Sequence, residues 1–243
     1  MANVEGIREW AIKKLNKCLI IFKHLFNFAA KLNIMEFNDK QLQIIETAEK
    51  LFAEKGFKGT SVRDIAEEAD INVAMISYYF GSKIKLMEAI FEARIGSVQM
   101  RIENLIKDDS ISPLQKIYML IDEHVERVSE KECFFKIMIA EQLINKNPAV
   151  LQAVRQLKIR NAELVGQIIR DGQKKGVFKK KVDVVLLLNT LVGTVWQTMT
   201  NRDFYREFHD LGSLTDDAFN TLVKRKISIH IKSLFKDILT HEA

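Results

Sequence analysis

A short stretch in the first third of the chain, residues 72–83, concentrates side chains that can hydrogen-bond to nucleic acid. The amide of Asn72 can pair with an adenine edge, while Val73 and Ala74 can contact a thymine methyl group. Proteins contact phosphate with hydroxyl groups, such as those of the serine and tyrosines that follow, and with ammonium groups such as that of Lys83. These residue types could contact both the bases and the backbone of DNA.

No set of side chains has the spacing of a catalytic or metal site. The histidines, at positions 24, 124, 209, 230 and 241, lack the spacing of metal ligands. Cys18 and Cys133 have no partner pattern, so they predict neither a disulfide framework nor a metal site, and they favour a reduced, cytoplasmic compartment. The sequence has neither a nucleophile elbow nor a phosphate-binding glycine-rich loop. We therefore expect a protein that is not an enzyme and uses no cofactor or metal.

Short helices must position the residues of this stretch. They are expected over Asn38–Lys55, Ser61–Glu68 and Asn72–Phe80. Each begins with an Asn or Ser, whose side-chain oxygen can accept a hydrogen bond from the first turn. Gly56 and Gly81 are suited to end the first and third helices. Two short capped helices joined by a tight turn have the geometry of a helix-turn-helix, in which the second helix enters the major groove.

The sequence GTSVRDIA at 59–66, followed by ISYYFGSK at 76–83 and Leu86, resembles the DNA-binding signature of the TetR family of transcriptional regulators. The match spans residues 38–90. It implies an all-α fold, with an N-terminal three-helix helix-turn-helix DNA-binding domain and a larger helical domain for ligand binding and dimerisation. Together with their chemistry, it assigns DNA contact to Thr60, Ser61, Arg63, Asn72, Val73, Ala74, Met75, Ser77, Tyr78, Tyr79 and Lys83. The alternative for the two tyrosines is packing against the first helix.

Charge alone does not predict DNA binding here. The net charge of the chain is +5. Residues 36–90 carry seven basic and ten acidic groups, a net charge of −3, so any grip on phosphate must come from a few well-placed groups.

The sequence divides into three regions: an apolar, basic extension over 1–36, the helix-turn-helix domain over 37–82 and the larger helical domain over 83–243. The extension has no apolar run long enough to span a bilayer. Three interpretations stay open for it: a helix attached to the protein body, a segment preceding a start at Met35, and an amphipathic helix on a membrane surface.

The third region reads as a series of longer helices. They are expected over 83–107, 112–129, 131–145, 147–176, 183–201 and 218–239, with an irregular segment at 202–214. The helix at 183–201 is apolar on more than one face, which predicts burial against a partner as well as its own core. With the helix at 218–239, it resembles the four-helix dimer interface of the TetR family, and a two-fold dimer suits a palindromic site.

The resemblance also implies a pocket for an effector among the middle helices. Candidate lining residues combine aromatic walls with a few polar groups: His124, Phe134, Phe135, Met138, Gln142, Gln167, Trp196 and Met199. The alternative for each of them, and the more common case for such residues, is an ordinary core position. The composition favours an apolar or amphipathic small molecule.

The sequence thus predicts a cytoplasmic, homodimeric, ligand-responsive transcriptional repressor that binds palindromic operator DNA and releases it on binding a small molecule. The alternative is a helical interaction or membrane-peripheral protein of the same shape without specific DNA binding. The acidic 36–90 region and the basic, apolar extension motivate that alternative.

Overall fold

The computed structural model describes residues 37–241, except for the side chains of residues 96–101. Their regular structure is entirely helical, which confirms the predicted fold class. The helices are α1 (Asp39–Gly59), α2 (Val62–Glu68), α3 (Val73–Phe80), α4 (Lys83–Lys107), α5 (Pro113–Glu130), α6 (Glu132–Ala140), α7 (Pro148–Lys174), α8 (Val184–Thr200), α9 (Arg202–Phe208) and α10 (Asp216–Leu239). The predictions for 1–36 lie outside the described residues. Within 37–241, no helix is both long and apolar enough to cross a membrane.

Helices α1–α3, which we call the head, share one small core. Ile45 of α1, Ile65 of α2 and Ile76 of α3 are almost completely buried. Gly56 interrupts α1 with a φ of 75°, a left-handed conformation that glycine adopts at little cost, as the sequence predicted. The side chain of Gln43 donates a hydrogen bond to the Ala69 carbonyl at 2.8 Å, which ties the turn between α2 and α3 to α1.

Helices α4–α10, which we call the body, contact the head through two of their number, α6 and α4. Helix α6 lies along α1, and α4 runs from the head into the body, where it packs against α7. Helix α5 packs against α7, α8 and α10. The helices expected from Ser112, Asn147 and Asp183 begin there, and the side chains of these residues accept hydrogen bonds from the first turns of α5, α7 and α8.

Two sequence predictions for the body are wrong. The helix expected over 131–145 ends at Ala140 and continues as a π-helical turn, Glu141–Asn145. There the buried carboxylate of Glu141 accepts hydrogen bonds from the side chain of Asn145 at 2.8 Å and the backbone of Asn147 at 3.4 Å. These contacts hold the wider turn, and Lys146 then ends it with a left-handed φ of 54°.

The segment expected to be irregular, 202–214, contains helix α9. The guanidinium of Arg206 donates to Asp216 at 2.8 Å and lies 4.3 Å from the ring centroid of Phe219. Both contacts join α9 to α10, so tertiary packing stabilises a helix whose local sequence gives it no capping signal.

Candidate nucleic-acid interface and interior site

The turn between α2 and α3 is defined by capping at both helix starts. Ser61 and Asp64 form a reciprocal capping box, with hydrogen bonds of 2.7 Å and 3.1 Å. Hydrogen bonding from the backbone of Ser61, and then from its side chain, lowers the pKa of the Asp64 carboxyl group. Asp70 takes a left-handed φ of 49° in the turn. The side chain of Asn72 then accepts from the Ala74 amide at 2.8 Å, so its oxygen caps α3. The predicted helix-turn-helix is therefore present.

Helix α3 presents one face to solvent. Ile76 is 1% exposed and fixes the helix on the head core, whereas Tyr78 is 83% exposed. The other exposed candidates on α3 and its cap are Asn72, Val73, Ala74 and Ser77. Met75 and Tyr79 are half-buried, and the rings of Tyr78 and Tyr79 meet edge to face at 5.1 Å. Ser61 and Arg63 are exposed at the start of α2.

Two of the candidate DNA contacts have their polar groups engaged inside the head. Thr60 is 1% exposed, and its hydroxyl group donates towards the carbonyls of Leu51 and Gly56, at 3.2 Å and 3.0 Å. The ammonium of Lys83 donates to the carbonyls of Phe57 and Thr60, both at 2.8 Å, and lies 4.4 Å from the Phe57 ring centroid. The structure thus places both residues where they hold the loop between α1 and α2.

An ion pair that the sequence analysis missed joins the head to the body. The guanidinium of Arg94 in α4 donates to Glu49 in α1 at 2.7 Å, and Glu46 lies 3.8 Å away. Glu49 is buried, with 7% of its side chain exposed. A cleft of about 240 Å³ opens beside this pair, and its lining extends to Glu132 and Cys133 at the start of α6. Because the partners are 45 residues apart, no local pattern could have revealed the pair.

The chemistry of this cleft is not that of a reactive or metal-binding site. Burial, and then the charge of Glu49, raise the pKa of the Cys133 thiol, so the thiol stays protonated at neutral pH. No group of three or more potential ligands among the described residues could hold a metal ion.

A group of aromatic rings lies in the body, on α5 and on the two helices that contact the head, α4 and α6. Phe134 and Phe135 of α6 are buried, and their ring centroids are 5.8 Å apart. Phe134 meets Phe91 of α4 at 5.0 Å, and Phe135 meets the imidazole of His124 of α5 at 6.1 Å. Three of the predicted pocket residues, His124, Phe134 and Phe135, are therefore brought together.

His124 is the most perturbed titratable group in the body. Burial lowers its pKa to about 3, and the charge of Arg127 acts in the same direction. The imidazole is consequently neutral at physiological pH.

The other predicted pocket residues are more scattered. Met138, Trp196 and Met199 are half-buried. The amide of Gln142 is engaged, because it donates to the Met138 carbonyl at 3.0 Å and accepts from Lys158 at 2.7 Å. Gln167 lies on the exposed face of α7, so the structure does not bring it to the aromatic group.

Comparisons with known proteins match both parts of the chain. A family model described as bacterial regulatory proteins, tetR family, matches residues 44–90, and one described as YsiA-like protein, C-terminal region, matches residues 91–225. The fatty acid metabolism regulator protein of Bacillus subtilis (strain 168) is 24% identical over 184 residues, which are 76% of this chain and 94% of that protein.

Two solved structures show the same fold. The transcriptional regulator FadR from Bacillus subtilis, in complex with stearoyl-CoA, superposes with a TM-score of 0.57 at 22% identity and covers 79% of this chain and 97% of its own. The ketosteroid transcriptional regulator KstR2 of Mycobacterium tuberculosis gives a TM-score of 0.63 at 20% identity and covers 85% of this chain and 98% of its own.

Proposed function

The chain belongs to the TetR family of bacterial transcriptional regulators, and from this premise we propose how its geometry makes it a ligand-responsive repressor. In this proposal, residues 37–82 bind DNA, and residues 83–243 bind an effector and a second copy of the chain. The protein binds a palindromic operator as a homodimer, acts in the cytoplasm and releases DNA when the effector binds. It does no catalysis.

The observation that carries the DNA-binding proposal is the exposed face of α3. Ile76 is buried in the head core, while Tyr78 on the opposite face is 83% exposed. Asn72, Val73, Ala74 and Ser77 share the exposed side of the helix and its cap. Short residues there allow the helix to approach base edges, and Tyr78, with Ser61 and Arg63 of α2, reaches the phosphates on either side.

Exposed apolar side chains support the homodimer. Helix α8 buries Leu187, Leu191 and Val195 in its own core, yet leaves Val185 57% and Leu186 63% exposed. Val192 on the same helix is 41% exposed, and Ile229 of α10 is 57% exposed. Such a set is unusual for a surface that faces only water. We infer that α8 and α10 form a four-helix interface with the same helices of a partner copy.

The similarity to regulators whose names refer to fatty acids and ketosteroids supports an effector that is largely apolar, such as a long-chain acyl thioester or a steroid. The aromatic group at His124, Phe135 and Phe134 is the site that fits it best. Helix α6 contributes two of these rings and also lies along α1 of the head. An effector that displaces α6 would change the distance between the two heads of the dimer. Operator affinity would then fall by the factor by which the effector binds the displaced conformation more tightly than the original one.

Fluorescence anisotropy tests this function. Duplexes from the protein's own upstream region and random duplexes of equal length are titrated at several salt concentrations. We expect tighter binding to one upstream duplex, with a salt dependence that reports phosphate contacts, and release on addition of stearoyl-CoA or of a ketosteroid. Equal affinity and equal salt slopes for all duplexes would contradict specific operator binding.

A further inference from the structure

Buried polar atoms without a hydrogen-bond partner among the described residues include Nε2 of His124 on α5 and Oδ1 of Asn161 on α7. His124 is only 9% exposed, and the Asn161 oxygen is itself buried. Buried polar atoms in folded proteins are nearly always paired, so both atoms are candidates for contact with a bound molecule.

The direction of the helices and their register place the two residues at one level of the body. Arg160 of α7 forms a 2.6 Å ion pair with Glu103 of α4. Helix α4 begins at the head, where Lys83 bonds to Phe57 and Thr60, and α7 begins shortly after α6, which lies along α1 of the head. Helices α4 and α7 therefore run in the same direction. Because α5 returns from the end of α4 through a short connection, α5 and α7 are antiparallel.

A hydrophobic cluster fixes the register of this antiparallel pair. Leu164 of α7 and Ile102 of α4 form a buried cluster, and Leu120 of α5 packs against that cluster. His124 lies one helical turn beyond Leu120, and Asn161 lies one turn before Leu164. In an antiparallel pair both steps lead in the same direction, towards the head. His124 and Asn161 thus occupy matching positions on facing helices.

The hydrogen-bonding character of each atom follows from its surroundings. Nη2 of Arg127 lies 3.4 Å from Nδ1 of His124, and a guanidinium can only donate. Nδ1 must therefore be the acceptor, which places the proton of the neutral imidazole on Nε2. The free nitrogen is a donor, and the Asn161 oxygen is an acceptor.

We propose that His124 and Asn161 bind one uncharged polar group of the effector, which accepts a hydrogen bond from His124 Nε2 and donates one to Asn161 Oδ1. A hydroxyl group or a secondary amide has this chemistry, whereas an ether or a tertiary amide cannot donate. The rest of the ligand is apolar, since Leu120 and Leu164 lie one helical turn from the pair along their helices and the ring of Phe135 lies 6.1 Å from that of His124. This inference rests on the proposed function, because it assumes that the body binds an effector.

Paired probes that differ only in their ability to donate test the proposal. Isothermal titration compares 1-dodecanol with 1-methoxydodecane, and N-methyldodecanamide with N,N-dimethyldodecanamide. We expect the wild-type protein to bind at least one donating probe about tenfold more tightly than its methylated partner, the effect of one buried hydrogen bond. Which pair shows the preference distinguishes a hydroxyl-bearing from an amide-bearing effector.

Matched variants assign the preference to the two residues. Asn161→Leu should abolish it, and His124→Phe should weaken binding of every probe, because each probe accepts a hydrogen bond. Gln152→Leu, at an exposed position of α7, is the control and should bind as the wild type does. Nitrogen-15 NMR of the wild-type protein gives a readout that needs no variant, since the Nε2–H signal of His124 should shift on binding of the donating probe.

Several results would overturn the proposal: no binding by any probe, equal affinities within both pairs, a preference that survives in Asn161→Leu, or an unchanged His124 signal. Operator binding is measured without these probes. A protein that prefers one operator but does not discriminate the probes would refute this inference alone. One that discriminates the probes but binds all duplexes equally would refute the proposed function alone.

Discussion

Thr60 and Lys83 show how a residue of the right type for DNA contact can be committed to the protein interior. The hydroxyl group of Thr60 and the ammonium of Lys83 both bond to backbone carbonyls around the end of α1. The sequence motif assigned both residues to DNA contact from their type and position. It could not show the direction of their polar groups, because the carbonyls that accept from Lys83 lie 26 and 23 residues away along the chain.

Replacing Lys83 by Met is expected to lower operator affinity without changing its salt dependence. Met keeps most of the apolar stem but removes two hydrogen bonds that hold the loop preceding α2, so the unfolding free energy should fall by about 2 kcal/mol. A lysine that bound phosphate would instead reduce the slope of log K against log salt by about 0.9 per contact, or about twice that for a dimer. Anisotropy titrations over a salt series measure the slope, and urea denaturation measures the stability.

Lys85→Met is the comparison variant for this measurement. Lys85 lies in the same turn of α4, is exposed, and pairs with its neighbour Glu88 at 2.6 Å. The variant should leave the urea midpoint unchanged. A reduced salt slope in Lys83→Met, with normal stability, would show that Lys83 contacts the DNA backbone.

At the level of the helices, local signals predicted most boundaries. Ser61, Asn72, Ser112, Asn147 and Asp183 all cap helices in the structure, because a cap depends on residues two or three positions away. The failures, the π-helical turn at 141–145 and helix α9, depend on more distant partners. A buried carboxylate holds the first, and α10 supports the second through Arg206. The same limit applies to the candidate sites: the sequence identified His124 but not Asn161, since only the register of α5 and α7 brings them level.

The ion pair between α1 and α4 provides a test of the joint between head and body. Arg94→Met leaves the Glu49 carboxylate buried without its guanidinium partner, so we expect a loss of about 3 kcal/mol in unfolding free energy. The double variant Glu49→Met, Arg94→Met removes the stranded charge and should recover most of this loss. Urea denaturation of the single and double variants gives both values.

Lys50→Met is the control for this cycle, because it breaks an exposed pair with Glu68 whose side chains are 55% and 49% exposed. It should leave the urea midpoint close to that of the wild type. If Arg94→Met lowers the unfolding free energy no more than Lys50→Met does, the Glu49–Arg94 pair contributes little to the stability of the contact between head and body.

For the whole molecule, the proposed dimer combines the two requirements of a regulator. It doubles the few DNA contacts of an acidic head region, and it converts a movement of α6 into a change of spacing between two heads. Half-sites one helical turn apart need recognition helices about 34 Å apart, so a small change in the joint is enough to misalign them.

Leu186→Glu is expected to disrupt this dimer. Leu186 is 63% exposed on α8, and a carboxylate there would be buried against the partner copy without a countercharge. Size-exclusion chromatography with light scattering should show a monomer, and affinity for a palindromic duplex should fall by about a hundredfold or more.

Ile144→Glu provides the matched control. Ile144 is 76% exposed in the π-helical turn, outside α8 and α10, and its replacement should leave the mass and the DNA affinity unchanged. A dimeric Leu186→Glu protein, or a monomeric Ile144→Glu protein, would contradict the proposed interface.

The exposed face of α3 also has a consequence for how such a protein can diverge over generations. Ile76 alone is the buried residue of this helix, so the fold places few demands on the exposed Val73, Ala74, Ser77 and Tyr78. Mutations at these positions can accumulate with little loss of stability. After a gene duplication, one copy can therefore drift towards a new operator while its effector site and its joint stay unchanged. Target sequence and inducing signal can then be inherited as separate traits.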